Sequence, residues 1–414
     1  MKLVKSLLLG SAAGLVAVAG ASAADLGVKK PTAVEYVKTC PQYGAGFFVV
    51  PGTTSCLKLI GRIRVEAIQN IPLARTSDSN SFRVRGYVGY DHRTATEYGL
   101  LRTYLRGYLQ RQNEVGGAIG GVNATAANAV LEYAFIQFGG LTVGRITPVF
   151  EHGYSNLFNG SGSFGGHSDI SYVNSFGYTF QFGGGFSGTI AVDSARERQV
   201  AIRLGTYAGQ TMPDIVGSLD YAGSWGAVKL AGAIHQIRAQ STAGDIASSK
   251  YGFAIGLNTK INLPMISAGS NIWGNVTYSD GATSYSGFGS SANIGRRTYN
   301  FDDAGFAGSS LRTTKAWALH GGLEIFAAPT IRLGVYGSYA NIDPTGAANT
   351  ITTGSVWGQA AWLPTSGFLI GAEVGYVYAR GGASANSVPT GGAPGTVSRS
   401  QNQWVGRVRF QRDF

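Results

Sequence analysis

From residue 57 to its end the chain repeats segments of about ten residues in which apolar and polar side chains alternate. Leu59, Ile63 and Val65 share one parity, and Arg62, Arg64 and Glu66 share the other. Phe82, Val84 and Val88 oppose Arg83, Arg85 and Tyr87 in the same way, and Leu101, Leu105 and Leu109 oppose Arg102, Tyr104, Arg106 and Tyr108. Successive side chains of an extended strand point to opposite faces, so this is the strand period. About sixteen such segments begin near Leu57, Phe82, Tyr98, Ala129, Leu141, Ser171, Phe186, Ile215, Trp225, Tyr251, Ser270, Thr314, Thr330, Ser355, Phe368 and Gln403.

The connections between them alternate in length. Short ones fall at 139–140, 183–184, 223–224, 327–329 and 364–366, with 91–97 and 263–267 slightly longer. Between these lie long stretches rich in Gly, Ser, Ala and Asn, at 70–80, 112–128, 146–170, 194–214, 235–250, 280–312, 342–353 and 380–402. One end of the sheet is therefore trimmed and the other elaborated, as in a transmembrane barrel with tight turns on one side and long loops on the other. Hydrocarbon offers the backbone no hydrogen-bond partner, so a sheet survives there only by closing on itself. The expected fold is all-β: a transmembrane antiparallel barrel of about 16 strands, apolar outside and polar inside. A soluble sandwich or propeller is the competing all-β reading, but its packed interior would have to hold Arg62, Arg64, Arg83, Arg85, Arg102 and Arg106 unpaired.

Composition closes off other classes. The 62 glycines among 414 residues keep no three-residue period, which excludes a collagen. The 21 Tyr, 20 Phe and 6 Trp supply more apolar surface than a disordered chain carries. Residues 1–23 read as a secretory signal: Lys2 and Lys5, an apolar run over 7–19, and Ala21-Ser22-Ala23 before the cut. Beyond it no run of eighteen apolar residues could form a spanning helix. Removing the signal leaves 31 basic residues against 22 acidic ones, a charge of +9. An exported chain rarely meets nucleic acid and this one has no basic tail, so nucleic acid is not an expected partner. Cys40 and Cys56 are the two cysteines, and in an oxidising compartment a disulfide is their expected fate; a metal site would need histidines nearby, and His92 is the closest. Residues 24–56 are expected to form an N-terminal periplasmic segment, with the barrel occupying 57–414.

The stretch Cys40-Pro41-Gln42-Tyr43-Gly44-Ala45-Gly46-Phe47-Phe48-Val49-Val50-Pro51-Gly52-Thr53-Thr54-Ser55-Cys56-Leu57-Lys58 resembles the opening of the general porins of alphaproteobacteria. The signal ending Ala-Ser-Ala-Ala-Asp-Leu and the closing Val408-Arg409-Phe410-Gln411-Arg412-Asp413-Phe414 are similar to the same family, although Arg412 departs from the usual apolar residue of the last strand. The resemblance implies an outer-membrane trimer of sixteen-stranded channels for small hydrophilic solutes, with the third long loop folded into the lumen. It places lipid and lipopolysaccharide on the outside and requires no cofactor.

A sixteen-stranded barrel is too wide for side chains to fill, so something must narrow it. The third long connection, 146–170, carries Glu151 and Asp169 among glycines that let it lie against a wall; the bland reading is a solvated surface loop. Facing it, inward parity gathers Arg62, Arg64, Arg83, Arg85, Arg102 and Arg106 on three consecutive strands, and barrel closure adds Arg407 and Arg409. Such a wall opposed to two carboxylates would set up a transverse field that orients dipolar solutes. About a third of the arginines are expected to pair with Glu66, Asp91 or Asp413. Gly160, Gly162 and Gly165 match a dinucleotide-type glycine string without the surrounding βαβ unit. The histidines, His92, His152, His167, His235 and His320, are scattered, and no nucleophile elbow, P-loop or His-Glu-x-x-His is present. The alternatives kept are a receptor or adhesin whose long loops bind partners, and, less favoured, an outer-membrane hydrolase.

Overall fold

The computed structural model describes residues 37–71, 78–113, 125–151, 158, 171–242, 247–344, 350–382, 387–389 and 399–414. Sixteen strands form a closed antiparallel barrel: β1 (Cys56–Ile71), β2 (Asn80–Thr96), β3 (Gly99–Asn113), β4 (Thr125–Phe138), β5 (Leu141–Ile146), β6 (Val173–Gly183), β7 (Phe186–Asp193), β8 (Asp214–Gly223), β9 (Gly226–Ser241), β10 (Ala247–Asn262), β11 (Asn271–Asp280), β12 (Lys315–Ala328), β13 (Ile331–Asp343), β14 (Ile351–Thr365), β15 (Phe368–Gly381) and β16 (Gln401–Asp413). Each strand pairs with its neighbours in sequence, and β16 returns to β1 in a register running from Arg62 opposite Asp413 to Ile71 opposite Trp404. Closure gives every strand a partner on both sides, so the barrel has no edge strand, which is what hydrocarbon demands.

The period-two pattern sorts the side chains as the sequence implies. Leu59, Val88 and Leu109 point outward, 64%, 70% and 71% exposed, while Glu66 and Arg409 on the opposite parity are 1% and 3% exposed. Outward aromatics collect toward both ends of the strands. Tyr98, Phe182, Phe186, Trp225 and Phe414 lie at the short-turn end, and Trp317 against Tyr339 and Trp404 against Tyr376 lie toward the long loops. These are two interfacial girdles, with aromatic rings at headgroup depth. Arg412 shares the outward parity of Phe410, and its guanidinium donates to the carbonyl of Ser366 in the adjacent turn. Its apolar stem covers the barrel while its charge reaches the turn, which accounts for its departure from the apolar pattern.

Two-residue connections join β2 to β3, β4 to β5, β6 to β7, β8 to β9, β12 to β13 and β14 to β15. Gly139 and Gly367 take φ of +58° and +74°, which such tight turns require. The long connections sit at the other end. One is shorter than the sequence suggests: 235–250 contains paired strand out to Gln240 opposite Ala247. Polar residues that continue a strand beyond the hydrocarbon look like loop in composition, which is why the boundary was misread.

Cys40 and Cys56 form a disulfide with Cα atoms 6.2 Å apart, packed with Phe47 and flanked by Tyr43 and Val49. The short strand Phe48–Val49 pairs with the start of β1, tying this segment to the barrel's end. The largest connection, 281–314, turns inward. Its Tyr285 packs against Val216, Ala231, Ala233 and Ala254, and Phe288, Ile294, Tyr299 and Phe301 join a cluster with Ala316, Ala318, Ala340 and Trp357. Small inward side chains on β8–β10 and β12–β14 make room for this loop. The same cluster takes in Ile68 of β1, Val377 and Ala379 of β15 and Val405 of β16, so the loop also reaches the long-loop ends of those strands.

Candidate functional site

β16, β1, β2 and β3 are contiguous, and their inward parity carries Arg62, Arg64, Arg83, Arg85, Arg102, Arg106, Arg407 and Arg409 on one stretch of inner wall. Cross-strand register decides what each meets. Glu66 stands between Arg83 on one neighbour and Arg409 on the other, with contacts of 2.5 and 2.6 Å, and Arg407 lies 3.6 Å away. Arg407 also faces Glu373 at 3.4 Å, and Tyr336 donates to that carboxylate at 3.0 Å. Asp91 receives Arg102 at 2.9 Å and Arg93 at 2.8 Å, and Arg62 is bound by Asp413.

Arg106 meets Glu132 at 2.6 Å. A bulge opposite Arg106 and Gly107 inserts Glu132 as an extra residue in β4, so that it and Tyr133 both turn inward. Six of the eight arginines thus hold a carboxylate, well beyond the expected third. The three acids foreseen are indeed partners; Glu132 and Glu373 were missed because bulge position and barrel register are not visible in a linear reading.

Rings support the guanidiniums. Arg62 and Arg64 lie 5.5 and 5.6 Å from the Tyr87 centroid, Arg85 lies 4.6 Å from that of Tyr108, and Arg106 lies 4.9 Å from that of Tyr133. Each contact restrains a long side chain that would otherwise sample many rotamers.

Of the two acids placed on the third long connection, Glu151 is 8% exposed, and Lys229 of β9 donates to its carbonyl at 2.8 Å and to that of Val149 at 2.9 Å. Asp169 lies outside the described residues, as do His152, His167, Gly160, Gly162, Gly165 and the 1–23 segment. Phe150 packs with Tyr285, their centroids 4.9 Å apart, on the inner face of β8–β10. Phe158 lies on the other side, where Arg407 and Arg409 donate to its carbonyl at 3.2 and 3.0 Å and its ring centroid is 4.6 Å from the Arg409 guanidinium. Sequence reasoning passed over Phe158 and Lys229, since neither matches a recognisable motif. No cluster of three or more metal-ligating side chains occurs among the described residues.

The profile of the porin subfamily matches residues 25–406. Porin Omp2b of Brucella neotomae is 30% identical over an alignment of 433 residues spanning 99% of this chain and 99% of that protein. Porin Omp2b of Brucella suis is 31% identical over the same span. Among solved structures, the barrel is similar to Salmonella typhi OmpF in complex with daunomycin, at 11% identity and a TM-score of 0.51, covering 87% of this chain and 98% of that one. It is likewise similar to Pseudomonas putida OprB, at 11% identity and a TM-score of 0.50, covering 86% and 94%. With the closed barrel, the paired arginine wall and these relatives in hand, the chain belongs to the porin subfamily and is a channel of the outer membrane.

Proposed function

We propose that the connection between β5 and β6 folds into the lumen, and that small hydrophilic solutes and ions diffuse passively between it and the arginine wall. The observation that carries this reading is the pair of anchors eight residues apart. Phe150 is held on β8–β10, and Phe158 is bound through its carbonyl to Arg407 and Arg409 of β16. In a ring of sixteen strands, β8 and β9 stand across from β16 and β1. Eight residues reach at most roughly 28 Å, enough for a crossing.

On this reading Glu151 and Asp169 supply the acidic side of the eyelet and Arg62, Arg64, Arg83, Arg85, Arg102, Arg106, Arg407 and Arg409 the basic side. Burial of Glu151 makes the field asymmetric, with the wall the stronger pole. The apolar outer face serves lipid, lipopolysaccharide and the subunit contacts of a homotrimer. The receptor alternative is weakened because the connection 281–314, one of the two long enough for it, spends its aromatics on the inner wall. The protein is read as a conductor without turnover. Swelling of proteoliposomes in graded neutral sugars tests it: small sugars enter and large ones do not, whereas an impermeable vesicle, or hydrolysis of ester or peptide substrates by the same sample, contradicts it.

A further inference from the structure

Within that wall, we propose that Arg64 and Arg85 form a binding station for a dianionic oxyanion, either inorganic phosphate or the phosphate group of a sugar phosphate. The proposal rests on the reading that the wall borders the open path.

The register sets Arg64 of β1 directly opposite Arg85 of β2. Like charges in that relation repel unless something lies between them. The other six arginines of the wall hold carboxylates, but these two meet none among the described residues. Arg64 Nε donates to Gln411 Oε1 at 2.8 Å, and Arg85 donates through Nε to Gln110 Oε1 at 2.5 Å and through Nη1 to the Tyr87 hydroxyl at 3.3 Å.

The carboxamides are themselves oriented. Gln411 Nε2 donates to Asp413 at 3.1 Å and Gln110 Nε2 to Gln112 at 3.3 Å, so each turns its oxygen to an arginine. The glutamines therefore aim the two guanidiniums without neutralising them. Both terminal nitrogens of Arg64 and Nη2 of Arg85 remain without a hydrogen bond among the described residues, and both side chains are half-buried, within reach of a solute.

The ring contacts select the ligand class. Tyr87 and Tyr108, with centroids 4.9 Å apart, are already engaged with each other and with the Arg64 and Arg85 guanidiniums, so an aromatic solute would have to displace a guanidinium to stack where these sit. What remains is a set of fixed forked donors and two uncompensated positive charges. A tetrahedral dianion fits both, because guanidinium forks match its oxygens and its charge balances theirs.

The test is the chloride current of the full-length channel in a planar bilayer, in a phosphate-free buffer, titrated with inorganic phosphate and separately with a hexose monophosphate. Phosphate reduces the wild-type current, and Arg64→Gln with Arg85→Gln raises the half-blocking concentration about tenfold or more, the loss expected for charge-assisted hydrogen bonds. Arg85→Lys, which keeps the charge and loses the fork, also weakens block. Block by both solutes assigns the station to the phosphate group itself, and block by inorganic phosphate alone confines it to the free ion. Absence of block in the wild type, or an unchanged half-blocking concentration in the double variant, overturns the station. The KCl reversal potential reports the wall separately, so an anion-preferring channel without phosphate block would sink this inference and leave the wall standing.

Discussion

Replacing Arg62, Arg83 and Arg102 together by glutamine probes the wall quantitatively. With Arg93, which shares Asp91, nine arginines meet five carboxylates, Glu66, Asp91, Glu132, Glu373 and Asp413, which leaves four positive charges in excess. The triple variant removes three of those four. An ion passing about 8 Å away in water-like surroundings interacts with each charge by roughly 0.5 kcal/mol before screening. At 0.1 M salt, with a screening length of about 10 Å, three charges amount to roughly 0.7 kcal/mol, unfavourable for one ion sign and favourable for the other. The chloride-to-potassium permeability ratio should therefore fall by about tenfold. At 1 M salt the screening length is about 3 Å and the fall should be under twofold. Reversal potentials across a KCl gradient read both values, and the open-channel current shows that the variant has assembled. An unchanged ratio at low salt, or an equal change at 1 M, would refute the argument that these paired arginines set the field in the path.

Phe158→Ala keeps the carbonyl that Arg407 and Arg409 hold but removes the ring on Arg409, and should loosen the β5–β6 connection enough to raise single-channel conductance and admit larger neutral sugars; conductance equal to wild type would mean that this ring does not bound the opening. Cys40→Ser with Cys56→Ser removes a cross-link over a sequence separation of 16 and should cost about 3 kcal/mol in urea unfolding from lipid, with selectivity intact. No change in the unfolding midpoint would count against the staple. A Cβ on Gly61 would fall 2.2 Å from the ring of Phe414, whereas one on Gly86 meets nothing closer than Ile63 at 3.7 Å. Gly61→Val should therefore lower the assembled, heat-modifiable fraction on gels and Gly86→Ala should not; equal assembly of the two would show that the C-terminal ring is free to move aside.

The barrel was legible because lipid and water impose a pattern on every strand. All sixteen segment starts read from alternation lie within four residues of the observed strands, from Leu57 against Cys56 to Gln403 against Gln401. The arginines were legible by parity, since inward positions of neighbouring strands must share a wall. Their pairing was not, because it depends on register: nothing in the linear order places Glu66 between Arg83 and Arg409, and the turn of Glu132 into the lumen needs a bulge that ordinary residues form. The inward course of 281–314 was equally hidden. Its composition is that of any outer loop, and only the small alanines at 231, 233, 254, 316 and 318 across the barrel hint that something must fill the space beside them.

The most direct trial of a closed wall around water is a single-channel recording in a planar bilayer, repeated with neutral sugars of increasing size. The barrel described here predicts discrete current steps that scale with bulk conductivity and are reduced by sugars small enough to enter but not by large ones. A bilayer that stays silent at every protein concentration, or steps indifferent to every sugar, would contradict it.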